Sequence, residues 1–191
     1  MPYDSQATKE RILAAATAEF AEHGFAGARV DRIAATAQAN KRAIYDYFGD
    51  KNDLFAAVLE HQMVRCAEEV PVDGTDLGAF AERLIDYHAA HPEALRLLLW
   101  EALEFGGRQV PAEAVRTGKY QARVDAIASA NSSGADPRAV LFFTMGLVHW
   151  GSAVPQLRRM ILGDDYSPAR LRDTVAAAVR SLTAPSERSP L

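Results

Sequence analysis

The segment from Arg29 to Lys51 constrains the fold more than any other part of the chain. It reads RVDRIAATAQANKRAIYDYFGDK and holds two short apolar patterns of helical period. The first pattern puts four apolar residues on one face of an amphipathic helix: Val30, Ile33, Ala34 and Ala37. Ile44 and Phe48, four residues apart, predict a second helix from about Lys41 to Phe48. Two short helices separated by a tight turn predict a helix-turn-helix.

The outward side of the second predicted helix suits contact with DNA. Asn40 stands at its N-cap, where the side-chain oxygen can accept a backbone N–H. Cations at the start of a helix and phenols further along suit phosphate anchoring and base-edge contact in a major groove. We therefore predict DNA contacts from eight residues: Arg29, Asn40, Lys41, Arg42, Ala43, Tyr45, Tyr47 and Lys51.

A plainer interpretation stays open for several of these side chains. Lys41 and Arg42 could be the exposed start of an ordinary helix, and Lys51 a solvated lysine. Tyr45 and Tyr47 lie two residues apart, so at least one of them faces outward. Arg29 at a helix start is unfavourable for the helix dipole, and a nearby phosphate would remove that cost.

Helices are predicted on both sides of the motif. Thr8–His23 carries Ile12, Ala16 and Phe20 in one i, i+4 row, and Gly24 follows where a left-handed C-cap residue is expected. Downstream, Asp50 can cap a helix from Lys51 to about Glu69. The pattern predicts three small helices with a shared core, followed by a longer connecting helix.

These residues resemble the TetR family of transcriptional regulators. The resemblance covers roughly the first 60 residues and rests on a helix, a glycine-aromatic turn at Gly24-Phe25, a helix-turn-helix, and an aromatic-rich recognition helix followed by Lys51. The chain has Gln38 where the family usually has glycine in the turn, and a left-handed non-glycine residue costs on the order of 1 kcal/mol. The resemblance implies a DNA-binding repressor with a helical ligand-binding and dimerisation domain.

Composition is typical of an intracellular helical protein. The single cysteine, Cys66, excludes an internal disulfide framework. The N-terminus lacks an apolar signal core, and the longest mostly apolar run, Ala139–Trp150, is shorter than the roughly 20 residues of a membrane span. We expect a cytoplasmic protein without a membrane partner.

The net charge of −4 does not exclude DNA binding, because the charge is unevenly distributed. Residues 24–51 carry five Lys and Arg against three Asp. Screening confines exposed charges to roughly 8–10 Å, so the local balance decides phosphate contact. A small basic footprint on an acidic body predicts weak non-specific affinity.

The remainder of the chain is predicted to form helices with short breaks. Helices are expected over Leu77–His91, from Pro92 to Gly106-Gly107, from Pro111 to the loop at residues 131–134, from Asp136-Pro137 to Ile161 with a kink at Pro155, and from Ser167-Pro168 onward. The predicted fold class is all-α. Residues 1–52 form the helix-turn-helix domain, 53–184 a larger helical bundle for ligand binding and dimerisation, and 185–191 a tail.

Two apolar rows near the C-terminus have no obvious partner in so small a domain. One contains Leu141, Met145, Val148 and Ser152, and the other Leu171, Val175, Ala178 and Leu182. The family resemblance implies that such helices pack against their twins in a homodimer. Dimerisation also follows from the motif, because a two-fold pair of short recognition helices reads twice as many bases of a palindromic operator. An ordinary intramolecular core is the alternative.

Aromatic and polar side chains in the middle helices suit a pocket for a small molecule. The candidate lining is Tyr87, His88, Trp100, Glu104, Tyr120, Phe142, Met145, His149 and Trp150. The same residues also describe an ordinary core with Tyr and Trp at its edge. The resemblance supports the pocket, since these regulators generally hold an inducer in this region; we expect a small, largely apolar ligand.

Other functional classes lack a signature in the sequence. We find no nucleophile elbow, HExxH, P-loop or GxGxxG motif, and the five histidines are scattered along the chain. No catalytic residue, metal site or cofactor is therefore predicted. A small all-α enzyme, or a sensor without DNA binding, is the alternative to a sequence-specific regulator.

Overall fold

The computed structural model describes residues 5–130 and 133–184, and everything described is helix, turn or loop without a strand. Its helices are α1 Ser5–Gly27, α2 Val30–Ala37, α3 Lys41–Phe48, α4 Lys51–Glu69, α5 Leu77–Ala90, α6 Pro92–Phe105, α7 Glu113–Ala130, α8 Pro137–Ala153, α9 Pro155–Leu162 and α10 Pro168–Ser181. The predicted all-α class is confirmed. The predicted tail at residues 185–191 lies outside the described residues.

The chain forms two compact units that do not follow chain order. The first unit comprises the chain up to Arg65 together with His91–Arg116, and the second comprises Cys66–Ala90 together with the chain from Thr117 onward. Helix α4 contributes to both units, since the division falls inside it. The predicted domain boundary after residue 52 remains a prediction.

The core of the first unit is built on the helix-turn-helix. Phe20 and Phe55 meet edge to face at 4.9 Å between ring centroids, and both are fully buried. The remaining fully buried large side chains come from five different helices: Ile12, Ile33, Ile44, Leu54, Val58 and Leu97. Because Leu97 belongs to α6, that helix completes the core around the three N-terminal helices and α4.

In the second unit, α10 packs on α5 through small side chains and a network of ion pairs. Ala176 and Val179 of α10 are fully buried. The Arg172 guanidinium donates to Glu82 and Asp86 of α5, with Nη1–Oε2 and Nη2–Oδ2 distances of 3.0 Å. Helix α8 also packs on α5.

The predicted kink at Pro155 is a complete break. Helix α8 ends at Ala153, α9 begins at Pro155, and the two axes differ by 86°. Pro155 lacks the N–H that would continue the α8 ladder, and Val154, which precedes it, adopts φ −128° and ψ 63°, outside the helical region. Similarly, the helix expected from Pro111 begins at Glu113, because Ala112 has a left-handed φ of 54°.

The prediction that the apolar row on α8 has no partner within the chain was wrong. Leu141 and Val148 are buried within the chain, because this side of α8 faces its core. The apolar side chains that α8 leaves exposed are Phe142, Phe143, Leu147 and Trp150. The row on α10 is half-buried at Leu171, Val175, Ala178 and Leu182, while the packed side is the one with Ala176 and Val179.

Candidate functional site

Local interactions fix the turn between α2 and α3. Gln38 closes α2 in a left-handed conformation, with φ 51° and ψ 43°. The Asn40 side chain accepts the Arg42 backbone N–H at 2.9 Å, so the predicted N-cap is confirmed. Since Ile44 is almost fully buried, α3 has one defined inner side and presents the opposite side outward.

Glu19 of α1 provides the cap that Arg29 cannot supply to α2. Its Oε1 accepts both the Arg29 backbone N–H and the Arg32 Nε–H at 2.8 Å. Burial would raise the pKa of Glu19, but the hydrogen bonds from Arg32 and Arg29 lower it overall. The carboxylate therefore remains charged near the positive end of the α2 dipole, and the Arg29 side chain stays exposed.

Three predicted DNA-contacting side chains share the exposed side of α3: Lys41, Arg42 and Tyr45. Tyr45 keeps 44% of its surface exposed. Lys41 Nζ lies 2.8 Å from Asp31 Oδ1, and Arg42 Nε lies 3.8 Å from Asp46 Oδ2. The hydrogen bond from Lys41 to Asp31 raises the lysine pKa, so the ammonium stays charged. Each cation of this surface therefore has an acidic neighbour on the protein itself.

The other predicted contacts lie nearer the core. Ala43, Tyr47 and Lys51 are half-buried. The Lys9 ammonium lies 5.3 Å from the Tyr47 ring centroid, and the Lys51 ammonium lies 4.9 Å from that of Phe25. Burial lowers the pKa of Lys51. Between the two tyrosines, Tyr45 is the outward one.

The structure brings together only part of the predicted ligand lining. In the second unit, His88 and His149 face each other with their Nε2 atoms 2.9 Å apart, and the Tyr87 ring meets His88 edge to face. Met145 and Tyr120 are half-buried. By contrast, Phe142 and Trp150 project outward with 74% and 60% of their surface exposed.

Trp100 and Glu104 belong to the first unit. The Trp100 indole Nε1–H donates to the Ala21 carbonyl at 3.2 Å. Glu104 is exposed, whereas Glu101 forms a part-buried bidentate pair with Arg116, with Nη1–Oε2 at 3.0 Å and Nη2–Oε1 at 2.9 Å. Neighbouring glutamates on α6 therefore have different environments that their spacing does not reveal.

An apolar groove in the second unit was missed by the sequence analysis. It encloses about 560 Å³ between α8, α9 and α10 and is lined by apolar side chains that include Phe143, Leu147, Trp150, Ile161, Leu171 and Val175. Ile161 in its lining and Met160, the preceding residue of α9, expose 69% and 73% of their surface. The signal was present: α8 is apolar on more than one side, which a helix packed on one face does not require.

Metal ligation and membrane insertion are two further possibilities for the described residues. Within them, no three His, Cys, Asp or Glu side chains come close enough to hold a metal ion. No single described helix is long and apolar enough to cross a membrane. Only α8 and α9 taken together reach such a length and composition, and they bend by 86° at their break.

A helix-turn-helix with an exposed, cation-bearing second helix, joined to a separate helical unit, defines a DNA-binding transcriptional regulator. Two protein-family models match: "Bacterial regulatory proteins, tetR family" over residues 12–58 and "Tetracyclin repressor-like, C-terminal domain" over residues 76–181. The chain belongs to the TetR family of transcriptional regulators, which confirms the resemblance seen in the sequence.

Similar proteins support the same assignment over nearly the whole chain. The HTH-type transcriptional repressor SCO4008 of Streptomyces coelicolor is 46% identical and aligns with 94% of this chain and 96% of its own length. The crystal structure of the putative transcriptional regulator SCO4942 from the same species is 34% identical, covers 93% of this chain and 99% of its own, and superimposes with a TM-score of 0.74.

A further solved structure shares the fold. It is AibR in complex with isovaleryl coenzyme A and operator DNA, which is 18% identical to this chain. The match covers 94% of this chain and 100% of AibR, with a TM-score of 0.64. The family models and the similarity to SCO4008 identify this protein as a sequence-specific DNA-binding transcriptional regulator.

Proposed function

We propose that this regulator is a homodimeric cytoplasmic repressor that places α3 in the major groove of a palindromic operator and leaves it when a small molecule binds. The observation that carries the proposal is the geometry of α3. Ile44 anchors the helix in the core while Lys41, Arg42 and Tyr45 stay exposed together. Further contacts, to the DNA backbone around these three side chains, would come from Arg29, Asn40, Ala43, Tyr47 and Lys51.

The exposed apolar side of α8 and α9 supports dimerisation. Phe142, Trp150 and Met160 each expose more than half of their surface. Apolar patches of this kind mark interaction sites, and a second copy of the same patch is complementary under two-fold symmetry. We propose that this surface, with the half-buried row of α10, forms the subunit interface. Phe142 and Trp150 then serve the interface rather than a ligand pocket.

Helix α4 supports coupling between ligand binding and DNA binding. It is one continuous helix whose first part belongs to the first unit and whose last part belongs to the second. Two recognition helices must lie near one turn of DNA apart, about 34 Å, so a modest displacement spoils their fit. A ligand can shift this equilibrium only through its different affinity for the two conformations, typically 1–3 kcal/mol.

Selection of bound sequences from random duplex DNA would test the proposed function and show the symmetry of the operator. On the selected operator, Lys41→Ala and Arg42→Ala should weaken binding without unfolding the protein. Loss of a phosphate contact should lower the salt slope by about one, whereas loss of a base contact should relax preference at one position by about 1–3 kcal/mol. Arg83→Ala, at an exposed cation of α5, is the control. Unchanged operator affinity in both α3 variants would exclude this recognition surface.

Analytical ultracentrifugation would test the interface. Leu147→Glu and Val175→Asp place a charge in the proposed apolar contact, so they should give helical monomers with reduced operator affinity. Leu103→Glu changes a leucine of the first unit that is 76% exposed, and it should leave the dimer intact. Dimers that persist in both interface variants would exclude this surface.

The alternative function is a small all-α enzyme or a sensor without DNA binding. The same purified protein distinguishes it, because failure to select any DNA sequence, together with turnover or stoichiometric metal, would support that alternative. The regulators named above favour the DNA-binding function.

A further inference from the structure

The two flanks of the recognition helix α3 differ in charge. Residues four apart on a helix share a flank, so Lys41 and Tyr45 lie along one side of α3. Ala43 and Tyr47 lie along the opposite side. The almost fully buried Ile44 separates these flanks on the inner side of the helix. One flank of α3 therefore carries a cation, whereas the other carries only an alanine and a phenol.

Lys9, in the second turn of α1, lies beside the flank of α3 that lacks a cation. Its side chain is half-buried, and its ammonium lies 5.3 Å from the centroid of the Tyr47 ring. Two residues later, Arg11 Nε donates to the carbonyl of Ala37, the last residue of α2, at 3.2 Å. These contacts join this part of α1 to both helices of the motif, so Lys9 has a defined position beside α3.

The charge of Lys9 is less compensated than that of the cations on α3. Lys41 Nζ pairs with a carboxylate of Asp31 at 2.8 Å. Arg42 Nε lies 3.8 Å from Asp46 Oδ2. Within the described part of the chain, the contact of the Lys9 ammonium is the Tyr47 ring, and no carboxylate pairs with it. An aromatic ring attracts a cation through its quadrupole but carries no net charge, so the positive charge of Lys9 stays available to an anion.

We propose that Lys9 binds a phosphate of the DNA backbone on the Tyr47 flank of α3, so that α1 and α3 together contact both strands that border the major groove. The groove is about 12 Å wide, and a helix inside it has a phosphate strand along each flank. Lys41 contacts the strand on its own flank, and Lys9 contacts the other. The inference rests on the proposed placement of α3 and adds a contact from outside the helix-turn-helix.

The salt dependence of binding tests the charge of Lys9, on the selected operator and on an unrelated duplex of equal length. Lys9→Met removes the ammonium but keeps an unbranched apolar side chain. It should weaken binding to both duplexes by the same factor, about three- to tenfold for each subunit, and lower the salt slope by about one for each subunit. Lys9→Arg keeps the charge and should retain affinity and slope. Lys119→Met, at a half-buried lysine of α7 in the second unit, is the matched control and should behave like the parent chain.

Single methylphosphonates in the operator, which remove the charge of one phosphate at a time, locate the contact. In the parent chain, neutralising the phosphate that Lys9 binds should weaken binding. In Lys9→Met the same replacement should have little further effect, because the contact is already lost. Lys41→Met should become insensitive at a different phosphate, on the opposite strand of the groove. A purely structural role of Lys9 would instead lower the Tm of the free protein and leave the pattern of sensitive phosphates unchanged.

Three outcomes would overturn the inference. These are an unchanged salt slope in Lys9→Met, a methylphosphonate pattern identical to that of the parent, or weaker binding to the operator alone, since a phosphate contact does not read sequence. If Lys9→Met does not fold, the parent chain still decides, because sensitive phosphates on the Lys41 strand alone contradict a contact on the other flank. A parent chain that selects no DNA sequence contradicts the proposed function, whereas one that binds its operator without using the charge of Lys9 contradicts only this contact.

Discussion

The indole of Trp100 covers Gly24 so closely that no side chain fits between the two residues. A Cβ at residue 24 would lie 2.8 Å from Trp100 Cε3, closer than carbon atoms approach. The backbone of Gly24 has φ 69° and ψ 178°, a region that glycine alone adopts readily. The Ala21 carbonyl, left free where α1 breaks, accepts from Arg96 Nε at 2.9 Å as well as from the indole. This contact locks α6 onto α1.

Gly24→Ala should therefore destabilise the protein strongly. Backbone strain of about 1–3 kcal/mol adds to overpacking of similar size, so urea denaturation should show a loss of roughly 2–5 kcal/mol. Gly107→Ala is the control, because nothing lies within 4 Å of its Cβ position. Adding Trp100→Leu to Gly24→Ala should relieve the steric part alone. A stable Gly24→Ala variant would show that the contact is not tight.

Gln38→Gly should stabilise the helix-turn-helix. Gln38 is exposed and left-handed, so glycine removes a steric cost of about 1 kcal/mol, partly offset by the greater freedom of the unfolded chain. Thermal unfolding should show a small rise in Tm. Thr36→Gly, at an exposed position inside α2, should lower Tm instead, because glycine costs about 0.5–1 kcal/mol in a helix. Equal effects of both changes would contradict the role of the turn.

Sequence reasoning succeeded where structure is decided locally. The apolar spacing of Ile44 and Phe48 predicted the bounds of α3, and Asn40 was identified as its cap because capping involves residues only two positions apart. Helix α4 has the predicted bounds, Lys51–Glu69, for the same reason. The positive φ of Gly24 was also readable, since turn geometry restricts residue type, whereas the sequence left the geometry of the turn at Gln38 open.

Sequence reasoning failed where partners are distant in the chain. Leu141 and Phe142 are equally apolar neighbours, but one is 4% and the other 74% exposed, and only the packing of α8 on α5 distinguishes them. Trp100 was expected beside Trp150, although it packs on α1, about 80 residues earlier in the chain. Amphipathic periodicity predicts that a helix has an inner side, but it does not identify which element covers that side.

Asp31→Asn should strengthen DNA binding. Asp31 Oδ1 accepts from Lys41 Nζ at 2.8 Å, so the carboxylate competes with phosphate for the first cation of the recognition helix and repels the DNA. Its removal should raise affinity for both operator and unrelated DNA by about three- to tenfold and increase the salt slope. Specificity, the ratio of the two affinities, should not improve. Filter binding across salt concentrations measures the affinities for operator and for unrelated DNA. Asp125→Asn on α7 is the control. Weaker binding by Asp31→Asn would mean that the ion pair between Asp31 and Lys41 positions the lysine for DNA.

Acid should weaken the second unit through His149. Its folded pKa of about 4 lies below the ordinary value of 6.5, because burial and Arg123 disfavour the imidazolium. The contribution to stability is therefore complete above pH 6.5 and is lost as pH falls toward 4, since the unfolded chain takes up the proton first. A depression of this size corresponds to roughly 3 kcal/mol.

The measurement is the free energy of unfolding of the parent chain and of His149→Gln at half-unit intervals between pH 7.5 and 4. Uptake of one proton on unfolding changes this free energy by at most about 1.4 kcal/mol per pH unit. The parent should lose more stability than the variant across this range, so that the difference between them shrinks as the solution is acidified. Carboxylate titrations are common to both proteins and cancel in that difference. His61→Gln, at an exposed position of α4, is the matched control. A difference that stays constant with pH would show that His149 takes up its proton equally readily in the folded and unfolded chain.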